Sequence, residues 1–134
     1  TLPNSILDMR QFWMHSLKTA LFAKYLADNH PKKRQLSSAF MSGLLHDIGR
    51  LIFYIKAPDL ARAAALLVNK DEVYIVYLAN KLTHANSTSE ETINKTISTE
   101  DNLWNQLDLP YGIIAPAANH VDEQFSQTYA LFFD

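Results

Sequence analysis

Apolar positions along this chain recur mainly at three- and four-residue spacing, the signature of helices that bury one face. The first such stretch predicts a helix from near Ser5 to about Asn29, with Asp8 completing a capping box and a potential break near Gln11. Leu17, Ala20, Leu21, Tyr25 and Leu26 lie on more than one of its faces, so this helix is expected to be central. Pro31 marks its end. A second helix starts at Ser37 or Ser38 and reaches about Asp47, carrying Phe40, Met41, Leu44, Leu45 and Ile48. Gly49 then supplies the left-handed residue that commonly follows a helix.

Leu51 to Ile55 could form a short strand alone, but between helices and without a partner strand it reads as helical. Pro58 suits the first turn of a helix over Asp59 to Asn69. Asp71 caps a further helix through about His84, with Val73, Val76, Asn80 and His84 on one face. Asn86 to Glu91 is polar and reads as a loop. Ser98 and Asp101 suggest a capping box for a short helix with Leu103, Trp104 and Leu107. Pro110 and Gly112 make a turn, and a last helix aligns Ala117, Val121, Phe125, Tyr129 and Phe132. The expected architecture is all-α, a single compact bundle of five to seven helices formed by residues 1–134.

Composition agrees with that reading. Hydrophobic residues make up 48% of 134 residues, with only 3 Gly and 5 Pro. The absence of cysteine removes disulfides, thiolate metal sites and a cysteine nucleophile, and fits a reducing, cytoplasmic setting. No stretch approaches a membrane span, and the start lacks the pattern of a signal peptide. The chain does not begin with Met, so a shortened homologue and an excised piece are both open. With a formal charge of −2, no nucleic-acid or membrane partner is expected. The one basic cluster, Lys32-Lys33-Arg34 beside Pro31, reads as a solvated turn rather than a phosphate site.

The chemically informative string is Gly43-Leu44-Leu45-His46-Asp47-Ile48-Gly49-Arg50-Leu51. An imidazole and a carboxylate at the end of an apolar helix are costly to bury unless paired or coordinated. His46 and Asp47 could converge on one ion there, with His15 of the first helix as third ligand. That donor set suits Fe, Mn, Zn or Ni. The alternative is structural: His46 hydrogen-bonded at the helix end and Asp47 in an ion pair. Among the other histidines, His30 is expected in an exposed turn. His84 shares a face with Asn80 and is a weaker ligand candidate, and His120 lies near Asp122 and Glu123.

Two blocks of sequence carry a family resemblance. Phe12-Trp13-Met14-His15-Ser16-Leu17, with Ala20 beyond, resembles the FW-x-HS-x-x-x-A opening of HDOD (HD-related output) domains. Ala39 to Leu51 resembles the AF-x-x-GLLHDIG-x-L block of the same family. The resemblance is strongest over residues 6–55. It implies an all-helical regulatory module of bacterial signal transduction, derived from the HD phosphohydrolase scaffold and coupled to other signalling proteins or domains. It extends by analogy to a response to nucleotide second messengers. Family segments before the first block are not evident.

Beyond Ile55 two registers compete. In one, Val73 to Asn80 matches the family's late helix, and Asn80 stands where active HD enzymes carry their last aspartate ligand. In the other, Leu109-Pro110 matches the W-x-LP element, His120 a later histidine, and Thr96 replaces a ligand histidine. Either way His15, His46 and Asp47 persist while the rest of the ligand set is damaged. A non-catalytic module is therefore expected. The second reading is a metal-dependent phosphohydrolase of phosphomonoesters or nucleotides, for which Lys18 and Arg50 are the candidate phosphate-binding cations. The apolar end Leu131-Phe132-Phe133 would suit covering a neighbour or a second subunit, a homodimer among them.

Overall fold

The computed structural model describes residues 2–46, 70–86 and 90–133, and among these every regular element is helical. Helix α1 spans Leu2–Asp28, a short 3-10 helix follows at Lys33–Leu36, and residues 39–46 form α2. After residues 47–69, α3 covers Lys70–Asn86, α4 Glu90–Thr99 and α5 Asp101–Gln106. A 3-10 turn at Tyr111–Ile113 leads into α6, Ile114–Phe133. The expected helices or turns over Asp47 to Asn69 lie outside the described residues. No described helix is long and apolar enough to cross a membrane.

At 27 residues, α1 is about 40 Å long. It begins at Leu2, ahead of the expected start, and passes Gln11 without a break. Pro3 is compatible with a first turn, because a proline there has the right φ and gives up an N–H that has no intrahelical partner anyway. Ser5 and Asp8 therefore sit inside the helix instead of capping it. Ala20, Phe22, Ala23 and Leu26 are fully buried, and Leu17, Leu21 and Ala27 nearly so. These positions point in several directions, so α1 is the central helix, packed against α3 and α6 among others.

Helix α3 presents Ile75, Leu78, Ala79, Leu82 and Ala85 to the core at helical spacing. Asp71 and Glu72 occupy its first turn, where carboxylates suit the positive end of the helix dipole. Helix α4 was not expected. It buries only Ile93 and Ile97, an i,i+4 pair too sparse to stand out among polar neighbours. Thr96 and Thr99 return their hydroxyls to the carbonyls of Thr92 and Lys95. Ser98 lies within α4, and Glu100 is the residue before α5, with no side-chain cap bond. The Ser98–Asp101 capping box is thus not formed. The turn after α5 is closed by Asp108 at φ 55°, with Leu109 N–H donating to the Trp104 carbonyl.

Trp104, Leu107, Leu109, Ala117 and Val121 close the far side of the core. Along α6 the expected stripe is buried at Ala117 and Val121 and half-buried at Phe125 and Tyr129, while Leu131 is 84% exposed. Tyr25 stitches α1 to the start of α6 by donating its hydroxyl to the Ile113 carbonyl at 2.6 Å. Burial raises the phenol's pKa above its ordinary value.

A phenol with a raised folded-state pKa contributes stability below its unfolded value, near pH 10, and loses it as pH climbs through the folded value. Tyr25→Phe is expected to cost about 1 kcal/mol at neutral pH through the lost hydrogen bond. The variant should also destabilise less steeply above about pH 10 in chemical denaturation. Tyr77 and Tyr111, raised chiefly by hydrogen bonds to Glu100 and Asp101, shift the same way, so the alkaline loss is reduced and not abolished.

Candidate functional site

The geometry of the site starts at Gly43. A Cβ added there would lie 2.9 Å from Ala20 Cα, 3.1 Å from Ala23 Cβ and 3.1 Å from the Thr19 carbonyl oxygen. Only a residue without a side chain lets α2 rest directly on α1. Ala20, Ala23 and Ala39 are small and fully buried at the same seam. One turn past Gly43, His46 arrives beside His15, with ring centroids 5.7 Å apart. As α2 rises from 43 to 46, its contacts descend α1 from 20 towards 15, so the two helices run antiparallel.

Helix α3 completes the group. His15 Nε2 and Asn80 Oδ1 are 2.9 Å apart, and the His84 ring lies 4.7 Å from that of His15. With the proton on Nε2, His15 donates to the amide oxygen. One turn along, Thr19 donates to Thr83 at 3.2 Å, and Thr83 donates to the Ala79 carbonyl at 2.8 Å. Both residue pairs rise together, so α1 and α3 are parallel and share a polar seam within an apolar contact. His46 Nδ1 is 2.6 Å from the Gly43 carbonyl oxygen. Donation from Nδ1 fixes the tautomer and leaves Nε2 as the nitrogen with a lone pair.

A second anchor holds α2 against the start of α3. Glu72 accepts hydrogen bonds from Ser38 at 2.7 Å and Ser42 at 2.6 Å. Ser42, His46, Glu72, Val73 and Val76 line a half-open hollow of about 270 Å³. Glu72 was not singled out from sequence. The usable signal was Ser38 and Ser42 at i,i+4 spacing, which places two hydroxyls on one face of α2.

The sequence candidates divide as follows. His15, His46, Asn80 and His84 come together, while Asp47 and Arg50 lie outside the described residues. Lys18 turns to α6, 3.7 Å from Asp122 and 5.0 Å above the Phe125 ring. His120 is exposed, its ring 5.1 Å from that of Tyr25 and tilted to it, and Thr96 bonds within α4. Asn80 thus stands against His15, while Thr96 and His120 make their contacts elsewhere. His30 corrects the expectation of exposure: it is 7% exposed. The chain folds back after α1, so the Lys32 N–H donates to His30 Nδ1 at 2.9 Å and Nε2 faces Asp71 at 3.9 Å. Among the described residues, no three His, Asp or Glu side chains are arranged to hold one metal ion.

Two measurements test this construction. Gly43→Ala gains helix propensity but meets backbone it cannot displace, and is expected to destabilise by about 1–3 kcal/mol in urea unfolding. A His15→Ala, Asn80→Ala double-mutant cycle should give a coupling of about 0.5–1.5 kcal/mol. Additive losses would mean that the 2.9 Å contact carries no energy.

Comparison with known proteins gives one match. The family model described as HDOD domain matches residues 1–98. Neither the curated proteins nor the solved structures contain a match. The match covers most of the chain and both sequence blocks, including the three helices that bring His15, His46 and Asn80 together: this chain belongs to the HDOD domain family.

Proposed function

We propose that this chain is a non-catalytic regulatory output module of bacterial cytoplasmic signalling, working through other signalling proteins or domains. In this reading its HD-derived residues serve as a hydrogen-bonded clamp between α1, α2 and α3. The observation that carries the proposal is the contact of His15 with Asn80 at 2.9 Å. A neutral amide accepts the imidazole proton where a metal-dependent relative would present an anionic ligand. The same bond puts the proton on His15 Nε2, which then has no lone pair to offer an ion. Lys18, the candidate cation among the described residues, is engaged by Asp122 and Phe125 instead of facing the histidines.

One observation favours the second reading, a phosphohydrolase. His46 has its Nδ1 pinned to a backbone carbonyl, the arrangement that orients a metal-ligating histidine. The donors to be tested for an ion are His15, His46 and Asp47. Of this set, His15 and His46 lie together with ring centroids 5.7 Å apart, and Asp47 lies outside the described residues. A metal there would supply a Lewis acid and an activated water.

Elemental mass spectrometry on the purified chain and on the His46→Ala, Asp47→Ala double variant separates the readings. The clamp predicts no stoichiometric Fe, Mn, Zn or Ni in either protein, and no hydrolysis of p-nitrophenyl phosphate with added Mn²⁺. It also predicts a lower unfolding midpoint in the double variant. Metal near one equivalent, lost in the variant together with phosphatase activity, would overturn the proposal in favour of the enzyme.

A further inference from the structure

A larger cleft, about 740 Å³, runs beside the C-terminal half of α1, between the Lys33–Leu36 turn, α2 and the outer half of α6. Its size is that of a pocket for a small organic ligand. The floor includes Leu36, Phe40 and Met41, and Met41 is 51% exposed although it sits within the depression. One wall carries the side-chain amides of Gln124 and Gln127 and the hydroxyl of Thr128. At the rim, Lys24 is held by Asp28 at 2.7 Å, which cancels both charges. Lys33 and Arg34 are exposed, and among the described residues neither has a carboxylate or hydrogen-bonding partner. The cleft therefore has two uncompensated cations at one end, a soft apolar floor, and amide groups along one side.

We infer that this cleft binds a phosphate monoester with a flat apolar body, of the size of a mononucleotide. Two adjacent cations match the two charges of a monoester phosphate, and the guanidinium adds a forked donor to the ammonium. Phe40 and the thioether of Met41 offer the ring a polarizable surface. Gln124 and Gln127 can both donate to and accept from its edge. An acidic peptide would use the cations but not the amide wall and the floor together. Lys32, Lys33 and Arg34 are exposed, as a solvated turn requires, and the inference adds a ligand to Lys33 and Arg34. The inference does not depend on whether the histidine cluster holds a metal.

The test is calorimetric titration of the chain with GMP, with guanosine, inorganic phosphate and a glutamate-rich peptide as comparisons. Saturable GMP binding is expected, with guanosine and inorganic phosphate each at least about tenfold weaker. Lys33→Ala with Arg34→Ala, and separately Met41→Glu, should each weaken GMP by about tenfold or more without moving the thermal midpoint, since all three side chains are exposed. No saturable GMP binding overturns the inference. So does equal affinity for GMP and inorganic phosphate, which would reduce the site to general anion attraction. Tighter binding of the peptide than of GMP would overturn it in favour of a protein-docking face.

Discussion

The contact of α2 with α1 through Gly43 is the constraint on which the rest of this structure depends. Helices with ordinary side chains at the crossing keep their axes 8–10 Å apart. Here the added Cβ would sit 2.9 Å from an α1 backbone carbon, so the two backbones are as close as their own atoms allow. That spacing brings His46 to His15, lets Ser38 and Ser42 reach Glu72, and seats Ala39 in the core. One missing side chain thus sets the position of a whole helix, and through it the relation of three polar groups distant in sequence.

Much of this was legible in the sequence because it depended on local spacing. The all-helical class and the central place of α1 followed from Leu17, Ala20, Leu21 and Leu26, which are apolar on several faces. The grouping of His15 with His46 followed from two motif blocks. The parts that escaped depended on long-range packing or on weak local signals. Helix α4 is anchored by Ile93 and Ile97 alone, and its threonines have little intrinsic preference for a helix. His30 looked like a polar turn residue. Its burial depends on the fold-back of the turn and on Asp71, which α3 supplies from elsewhere in the chain. The meeting of Asn80 with His15 depends on how α3 packs along α1, which local spacing does not encode.

The histidine cluster shows how a polar layer can be retained inside an apolar contact. His15, Asn80, Thr19 and Thr83 satisfy one another between α1 and α3, at a depth where an unpartnered polar atom would cost 1–3 kcal/mol or so. Such pairs add little net stability over apolar replacements. They do penalise sliding, since a shift of one helical turn would break both cross-helix bonds. Apolar residues such as Leu78 and Leu82 would tolerate the same slide more readily.

The Thr19–Thr83 bond across that seam is also made between uncharged groups. Dipoles at hydrogen-bonding distance are not screened by dissolved ions, whereas exposed pairs such as Lys24–Asp28 weaken as ionic strength rises. The central helix and its parallel neighbour are therefore joined there by a polar contact indifferent to salt. Swings in cellular electrolyte would be registered at the rim of the domain, by its surface lysines and carboxylates, and would leave the registry of its core helices unchanged.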